Sequence, residues 1–350
     1  MPVRLVDRQP QAPVESLIAE LTPPPLFAAV SFDSYRPDPG EPSQALACAA
    51  VRDFAGLLSA AAEGSGSAGR AWWRRGRASH RGAPDRPAGI YLDGGFGVGK
   101  THLLASLWHA VPAPKAYATF SELTQLAGVL GFAGLVTRLS PMRLLAIDEF
   151  ELDDPGDTVL ISSLLARLDE AGVRLAATSN TLPDRLGEQR FAAEDFFREI
   201  QAMAARFTAI RVDGPDYRHR GLPAAPPPLA EADVLRAARR PGASLDEFGQ
   251  LLEHLARLHP SRYGALLDGV SQLCLTGVTP APDQNVALRL VVLADRLYDR
   301  QIPLACSGVA LDQLFSAEML AGGYRQKYRR AISRLVALAH AAAGARQPPG

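Results

Sequence analysis

Between residues 89 and 220, short apolar runs alternate with stretches in which apolar residues recur at helical spacing. Such runs predict buried strands, and the stretches between them predict helices that cover a sheet. The predicted strands are Ile90–Leu92, Ala116–Phe120, Arg143–Glu149, Val173–Asn180 and Phe207–Val212. This alternation is typical of a parallel sheet with helices on its faces, so the predicted fold class is α/β.

The residues on either side predict further blocks. Toward the amino terminus, an amphipathic segment (14–21) ends at three prolines, and a helix opens at Pro42 with Ser43 as its predicted cap. Toward the carboxyl terminus, a proline-rich linker leads into a mainly helical region with strands at Gln272–Leu275 and Ile302–Cys306. The predicted organisation is an N-terminal segment packing on the core (1–60), a flexible basic linker (61–88), the sheet-containing core (89–222) and a C-terminal domain (223–350).

Composition narrows the function classes. The 37 basic and 37 acidic residues cancel, so no overall field attracts the protein to nucleic acid or to an anionic membrane. The three cysteines are scattered without zinc-ligand spacing, which suits a reducing compartment. The amino terminus lacks the apolar core of a signal peptide, and no stretch approaches about 20 apolar residues. We therefore expect a cytoplasmic protein with no integral membrane segment.

One basic segment leaves two alternatives open. Trp72, Trp73 and the arginines that follow as far as Arg86 could grip single-stranded nucleic acid by stacking and phosphate contacts. The other interpretation is a surface connection whose tryptophans pack on the core. We favour the second because the cluster is short and isolated.

The glycine-rich stretch after the first predicted strand carries the clearest chemistry. Residues 94–101 spell G-x-x-x-x-G-K-T between a strand and a helix. Glycines let the backbone turn its N–H groups toward an anion, and the helix adds its positive end. Lys100 can reach the β- and γ-phosphates of ATP, and the Thr101 hydroxyl can ligate Mg²⁺. The predicted ATP-binding residues here are Gly94, Gly95, Phe96, Gly97, Val98, Gly99, Lys100, Thr101 and His102.

Two carboxylates end the third predicted strand. In a parallel sheet the carboxyl ends of the strands face the ligand crevice, so Asp148 and Glu149 are expected beside the phosphates. Asp148 is predicted to hold Mg²⁺ through water. Glu149 is predicted to orient and deprotonate the water that attacks the γ-phosphate. The alternative is a pair of solvated acids that starts a loop.

The fourth strand and the region after it supply the remaining candidates. Asn180 can hydrogen-bond both the attacking water and the γ-phosphate, although asparagine is also an ordinary turn former. Phosphoryl transfer gains from an arginine that reaches the transition state, and a neighbouring subunit can provide it. Arg190 is the first candidate and Arg206 the second, with Arg198 also in the region.

Several short sequence motifs together resemble those of one family, the ZapE-type cell-division ATPases and their mitochondrial relatives. The resemblance spans nearly the whole chain, and the order and spacing of the motifs make it specific. The motifs are Phe32 with Tyr35-Arg-Pro-Asp-Pro, Pro42-Ser-Gln, the glycine loop, Ile147-Asp-Glu-Phe, Ala177-Thr-Ser-Asn, Asp216-Tyr-Arg, Arg296-Leu-Tyr-Asp-Arg and Arg330-Ala-Ile-Ser-Arg-Leu.

The resemblance implies an AAA+ P-loop core with a mainly helical C-terminal lid domain. It also implies Mg²⁺-dependent ATP hydrolysis at the division septum and engagement of the tubulin-like protein FtsZ. By position, Arg289 would be the lid arginine that senses the γ-phosphate, with Arg334 as the alternative. The chain departs from many members at residues 186–195, which leaves the choice of trans-acting arginine open.

These observations predict a Mg²⁺–ATPase that remodels a protein assembly, with FtsZ as the expected partner and a nucleotide-dependent homo-oligomer as the expected state. We expect no nucleic-acid partner. The rival prediction is a nucleic-acid-associated AAA+ ATPase similar to helicase loaders, which would use residues 72–86 as its grip.

Overall fold

The structure is a computed structural model in which the chain forms two compact units. One unit comprises residues 14–23 and 27–220, and the other comprises residues 1–13, 24–26 and 221–350. The basic segment with Trp72 and Trp73 lies outside the described residues, as does most of the amphipathic segment. The described residues are 2–10, 18, 21–63, 89–95, 97–152, 155–182, 197–214 and 225–344.

The first unit is built on a five-stranded parallel sheet. Its order is β2-β3-β4-β1-β5, which confirms the α/β class that the sequence predicts. The three central strands are almost wholly buried because helices cover both faces, and continuous apolar runs suit such positions. The strands are β1 (Gly89–Gly94), β2 (Lys115–Thr119), β3 (Leu144–Asp148), β4 (Arg174–Ser179) and β5 (Phe207–Val212).

Helices follow the strands in the order that the pattern predicts. The first of them after the glycine loop, α2, begins at Lys100 itself. The next, α3, starts with a capping box, in which the Thr119 hydroxyl accepts from the Glu122 amide and the Glu122 carboxylate accepts from the Thr119 amide. The helices of this unit are α1 (Pro42–Glu63), α2 (Lys100–Ala110), α3 (Phe120–Leu139), α4 (Pro155–Glu170) and α5 (Phe197–Ala204).

Helix α3 contradicts the prediction that no stretch of the chain is long and apolar enough to cross a membrane. By length and composition alone it meets that criterion. Leu123, Leu126 and Leu135 are buried, and the helix packs on β2 and α4 as a covering helix of the sheet. Its backbone breaks at Gly131, where φ is 69°, beside the exposed Phe132.

The second unit contains a three-stranded parallel sheet, β6-β7-β8, surrounded by helices. The sequence pattern predicts β7 and β8 but not β6, because Ala-Ser-Leu-Asp-Glu contains a single large apolar residue. The elements are α6 (Glu231–Ala237), β6 (Ala243–Glu247), α7 (Phe248–Arg257), α8 (Tyr263–Leu266), β7 (Gln272–Val278), α9 (Gln284–Asp299), β8 (Leu304–Gly308), α10 (Ala317–Ala321) and α11 (Arg325–Gly344).

The first residues of the chain belong to this second unit, which differs from the expected packing of residues 1–60 on the core as one block. Val3 forms a parallel bridge with Ser244 at the edge of β6. The carboxylate of Asp246 accepts from the amides of Leu5 (3.0 Å) and Val6 (3.1 Å). The Leu5 side chain is fully buried in the core of this unit. Residues 2–8 therefore complete the C-terminal unit, whereas residues 27–63 pack in the first.

Truncating Leu5 should destabilise the C-terminal unit. Leu5 is fully buried, and replacing such a leucine by alanine lowers the free energy of unfolding by about 2–5 kcal/mol, because apolar burial is lost and a cavity remains. We expect Leu5→Ala to show this loss in urea unfolding followed by circular dichroism. Leu235→Ala, at a partly exposed leucine of the same unit, is the matched control and should change stability by less than about 0.5 kcal/mol. Equal effects of the two variants would contradict the position of the amino terminus.

Candidate functional site

Three neighbouring strands bring the predicted site residues to one edge of the sheet. The strands β3, β4 and β1 lie side by side and run parallel, so their carboxyl ends meet. Asp148 ends β3, Asn180 follows β4, and the glycine loop follows β1. The crevice beyond this edge is where parallel sheets bind ligands.

The glycine loop adopts backbone conformations that favour glycine. Gly97 has φ 72° and Gly99 has φ 93°, both in the left-handed region. A Cβ atom on Gly99 would lie 2.6 Å from the ring of Tyr35, so this position is closed to a side chain on two grounds. The Tyr35 hydroxyl donates to the Val98 carbonyl at 3.1 Å. The segment that begins the family resemblance thus supports the loop from behind.

His102 lies beside the same supporting segment. Its ring nitrogen Nε2 is 2.9 Å from the Ser34 hydroxyl and 3.1 Å from the Ser31 carbonyl. Its ring also packs against Tyr35 with the centroids 5.5 Å apart. The structure therefore gives His102, a predicted ATP-binding residue, a described role in joining α2 to residues 31–35.

Ser43 and Gln44 have a function that the sequence pattern did not predict. Instead of capping α1, the Ser43 hydroxyl accepts from the Asp213 amide at 2.8 Å. The Gln44 amide group donates to the Asp213 carbonyl and accepts from the Asp38 amide, both at 2.8 Å. Gln44 is buried, and a Cβ on Gly214 would lie 2.5 Å from its nitrogen. The motif Pro42-Ser-Gln thus holds the backbone at Asp213, where the chain leaves β5.

Lys100 joins the loop to the fourth strand. Its ammonium donates to the carbonyls of Gly94 (2.9 Å) and Gly95 (2.5 Å) and to the side-chain oxygen of Asn180 (3.0 Å). The Asn180 amide nitrogen in turn donates to the Glu151 carboxylate at 3.2 Å. The lysine, the asparagine and a third acid therefore form one connected chain of hydrogen bonds at the mouth of the loop.

The carboxylate of Asp148 is the most heavily bonded group of the site. It accepts from the Thr101 hydroxyl (3.2 Å), the Tyr117 hydroxyl (2.9 Å), the Glu149 amide (3.1 Å) and the Thr178 hydroxyl. Only 5% of the residue is exposed. Burial raises the pKa of Asp148, and the charge of Glu149 raises it further, while the hydroxyl donors lower it.

Glu149 has a left-handed backbone with φ 54°, which is uncommon for a residue other than glycine. Its amide donates to the Asp148 carboxylate and to the Thr178 hydroxyl, both at 3.1 Å, and these bonds hold the conformation. The next residue, Phe150, is fully buried and donates to the Thr178 carbonyl at 2.7 Å. Backbone strain of this kind costs about 1–3 kcal/mol and is typical of functional sites.

The residues of this edge fit a magnesium–triphosphate. The loop leads directly into the start of α2, where backbone N–H groups and the helix dipole favour phosphate. Thr101 and Asp148 place two oxygen atoms 3.2 Å apart, and Mg²⁺ binds through few protein oxygens together with phosphates and water. Among the described residues there is no cluster of three or more His, Cys, Asp or Glu side chains suited to a metal. The two oxygen atoms of Thr101 and Asp148 suit a magnesium ion that is shared with a nucleotide.

The three candidate trans-acting arginines differ in their positions. Arg190 and the predicted loop residue Phe96 fall outside them. Arg198 is exposed on α5. Arg206 precedes β5 at the opposite, amino-terminal edge of the sheet, and its guanidinium pairs with Asp169 at 2.6 Å. Arg206 therefore does not contribute to the carboxyl edge of its own sheet, where the glycine loop lies.

The predicted lid arginines have partners within the C-terminal unit. The Arg289 guanidinium donates to the carbonyls of Leu255 (2.8 Å) and Leu258 (2.9 Å) at the end of α7. Arg334 pairs with Asp295, which also accepts from Arg330 at 2.8 Å. Burial alone would raise the pKa of Asp295, but the two guanidinium groups outweigh it and hold that pKa below its usual value. This ion triad joins α9 to α11.

A protein-family model matches most of the chain, including the residues of the site. The model of the AFG1-like ATPase family matches residues 11–238 and 229–347. The chain belongs to the AFG1-like ATPase family. The glycine loop, the acids of β3 and Asn180 all fall inside the first match, and the sheet that carries them is that of an AAA+ P-loop fold.

Individual relatives match over part of their length. The cell division protein ZapE of Escherichia coli K12 is 30% identical over 166 residues, which cover 44% of this chain and 43% of ZapE. A protein of Schizosaccharomyces pombe is 28% identical over 39% of this chain and 34% of its own. The chain thus spans less than half the length of the curated relatives it matches. Domain III of the Thermotoga maritima replication initiation protein DnaA has a TM-score of 0.38 and 20% identity, covering 56% of this chain and 70% of that one.

Proposed function

We propose that this protein hydrolyses ATP with Mg²⁺. The observation that carries the proposal is the meeting of Lys100, Asn180 and Asp148 at one sheet edge beside a left-handed glycine loop. The family match supports the same chemistry. Phosphoryl transfer needs positioning and charge stabilisation more than covalent chemistry, and this edge offers both.

Each residue then has a distinct role. Lys100 is buried, and three oxygen atoms accept hydrogen bonds from its ammonium; with ATP bound, phosphate oxygens replace these acceptors. Thr101 and Asp148 would hold Mg²⁺, which neutralises charge that develops on the phosphates. Glu149 takes the proton of the attacking water. Asn180 bonds the γ-phosphate and that water.

Two substitutions separate nucleotide binding from hydrolysis. We expect Lys100→Ala to abolish ATP binding in calorimetry because the phosphate cation is lost. We expect Glu149→Gln to keep binding while phosphate release falls by about 10²-fold or more, since the general base is removed. Lys327→Ala and Glu170→Gln remove the same charges elsewhere and should turn over at the wild-type rate. Wild-type turnover in both site variants would overturn the assignment.

We further propose that the active form is a nucleotide-dependent homo-oligomer in which an arginine acts on a neighbouring subunit. Arg206 lies at the opposite edge of the sheet from the glycine loop, so any part that it takes in turnover would be at the site of another subunit. Arg190 remains the first candidate from the sequence.

Mixing two inactive variants tests this arrangement. An Arg206→Ala subunit keeps its own site, and a Glu149→Gln subunit keeps its arginine, so a mixed interface should regain turnover. The same mixture with Arg190→Ala decides between the two arginines. Asp169→Asn, which breaks the ion pair of Arg206, controls for a structural loss. Mixtures that stay as inactive as their components, for both arginines, would exclude action in trans by either of them.

The remodelling target that we propose is the division protein FtsZ, as an assembly that the ATPase destabilises. The support is the similarity to a relative named as a cell division protein, together with the resemblance of the sequence motifs to those of the ZapE-type ATPases.

Polymers of purified FtsZ provide the measurement. We expect this protein to lower the polymer mass in a sedimentation assay when ATP is present. Lys100→Ala with ATP, and wild type with ADP, should leave the mass unchanged because the effect requires turnover. A polymer mass that does not respond to wild type with ATP counts against FtsZ as the target and leaves the ATP site untouched.

A further inference from the structure

Two hydroxyl groups that hold Asp148 have no role in the proposed chemistry. They belong to Tyr117 on β2 and Thr178 on β4, the strands on either side of β3. Both residues are 2% exposed. The side chain of Asp148 is thus held from both strands that flank its own, and all three residues are buried.

The two hydroxyls act on different carboxylate oxygens. Tyr117 donates to Oδ2 at 2.9 Å, and Thr178 donates to Oδ1. Because each oxygen has its own donor, rotation of the carboxylate would break at least one buried hydrogen bond. An unmade buried bond costs about 1–3 kcal/mol, so the orientation of the group is fixed.

Thr178 also reaches the second acid. Its hydroxyl accepts from the Glu149 amide at 3.1 Å while it donates to Asp148. Thr178 therefore orients the carboxylate of Asp148, the proposed magnesium ligand. It also fixes the backbone of Glu149, the proposed general base. Tyr117 holds Asp148 from the other side, through the bond of its hydroxyl to Oδ2.

We propose that Tyr117 and Thr178 are positioning residues that orient Asp148 toward magnesium, and we name the pair the hydroxyl clamp. The proposal rests on the ATPase function proposed above. Partners that orient a metal-binding side chain affect metal affinity by about 10–100-fold when removed. The clamp should therefore control the magnesium dependence of nucleotide binding, and not the binding of nucleotide as such.

Calorimetry with the non-hydrolysable analogue AMPPCP measures this without turnover. We expect Tyr117→Phe and Thr178→Val to raise the Mg²⁺ concentration needed for half-maximal binding by about tenfold or more. In EDTA, the affinity for AMPPCP should equal that of wild type. Turnover at saturating Mg²⁺ should change less in Tyr117→Phe than in Thr178→Val, because the Thr178 hydroxyl also holds the Glu149 amide.

Two variants serve as matched controls. Thr178→Ser keeps the hydroxyl and should keep the wild-type magnesium dependence. Tyr91→Phe removes a buried hydroxyl from the adjacent strand β1, where it donates to the Thr181 carbonyl at the same distance of 2.9 Å. That variant should also keep the magnesium dependence, since its bond does not involve Asp148.

The outcomes separate the two proposals. If wild type binds no AMPPCP at any Mg²⁺ concentration, the ATPase proposal itself fails. If wild type shows magnesium-dependent binding that Tyr117→Phe and Thr178→Val share unchanged, only the clamp is wrong. A loss of affinity that is equal in Mg²⁺ and in EDTA would show a merely structural role and also overturn it. Should Thr178→Val fail to fold in a thermal melt, Tyr117→Phe decides the question.

Discussion

One buried carboxylate, that of Asp148, constrains the whole carboxyl edge of the five-stranded sheet. Taking a charge out of water is costly unless hydrogen bonds replace the water, and four elements provide them here. Thr101 comes from α2, Tyr117 from β2, Thr178 from β4, and the Glu149 amide follows β3 itself. Each donor must lie within about 3 Å, so the register of three strands and the start of α2 are fixed together.

The same requirement explains the backbone of Glu149. Its N–H can serve both Asp148 and Thr178 only where the chain turns sharply out of β3, and that turn carries φ 54°. The strain is offset by the burial of Phe150, which packs edge-to-face on Tyr91 and Phe120. The aromatic cluster therefore stabilises a geometry that the two acids alone would not hold.

The sequence predicts the elements that depend on local pattern. Continuous apolar runs indicate the parallel sheet, and the glycine spacing indicates the loop, because both arise from residues near one another along the chain. The contact of Tyr117 with Asp148 cannot be predicted from the sequence, since it depends on the pairing of β2 with β3 and not on the neighbours of Tyr117 along the chain. Ser43 is misassigned for the same reason, because its partner Asp213 lies 170 residues away.

The C-terminal unit shows the same limit in another form. Strand β6 contains a single large apolar residue, and it is completed by Val3 from the other end of the chain. Periodicity within a window cannot reveal a strand whose stability depends on so distant a partner. The position of Leu5 in that core follows from the same pairing.

Two buried carboxylates in this protein are compensated in opposite ways. Asp295 lies between the guanidinium groups of Arg330 and Arg334, which lower its pKa and neutralise its charge. Asp148 is held by hydroxyls and an amide, which orient it without cancelling the charge, and its pKa is raised by burial and by Glu149. The first arrangement suits a permanent tie between helices. The second suits the proposed magnesium site, because a cation bound there would restore the balance that the neutral donors leave incomplete.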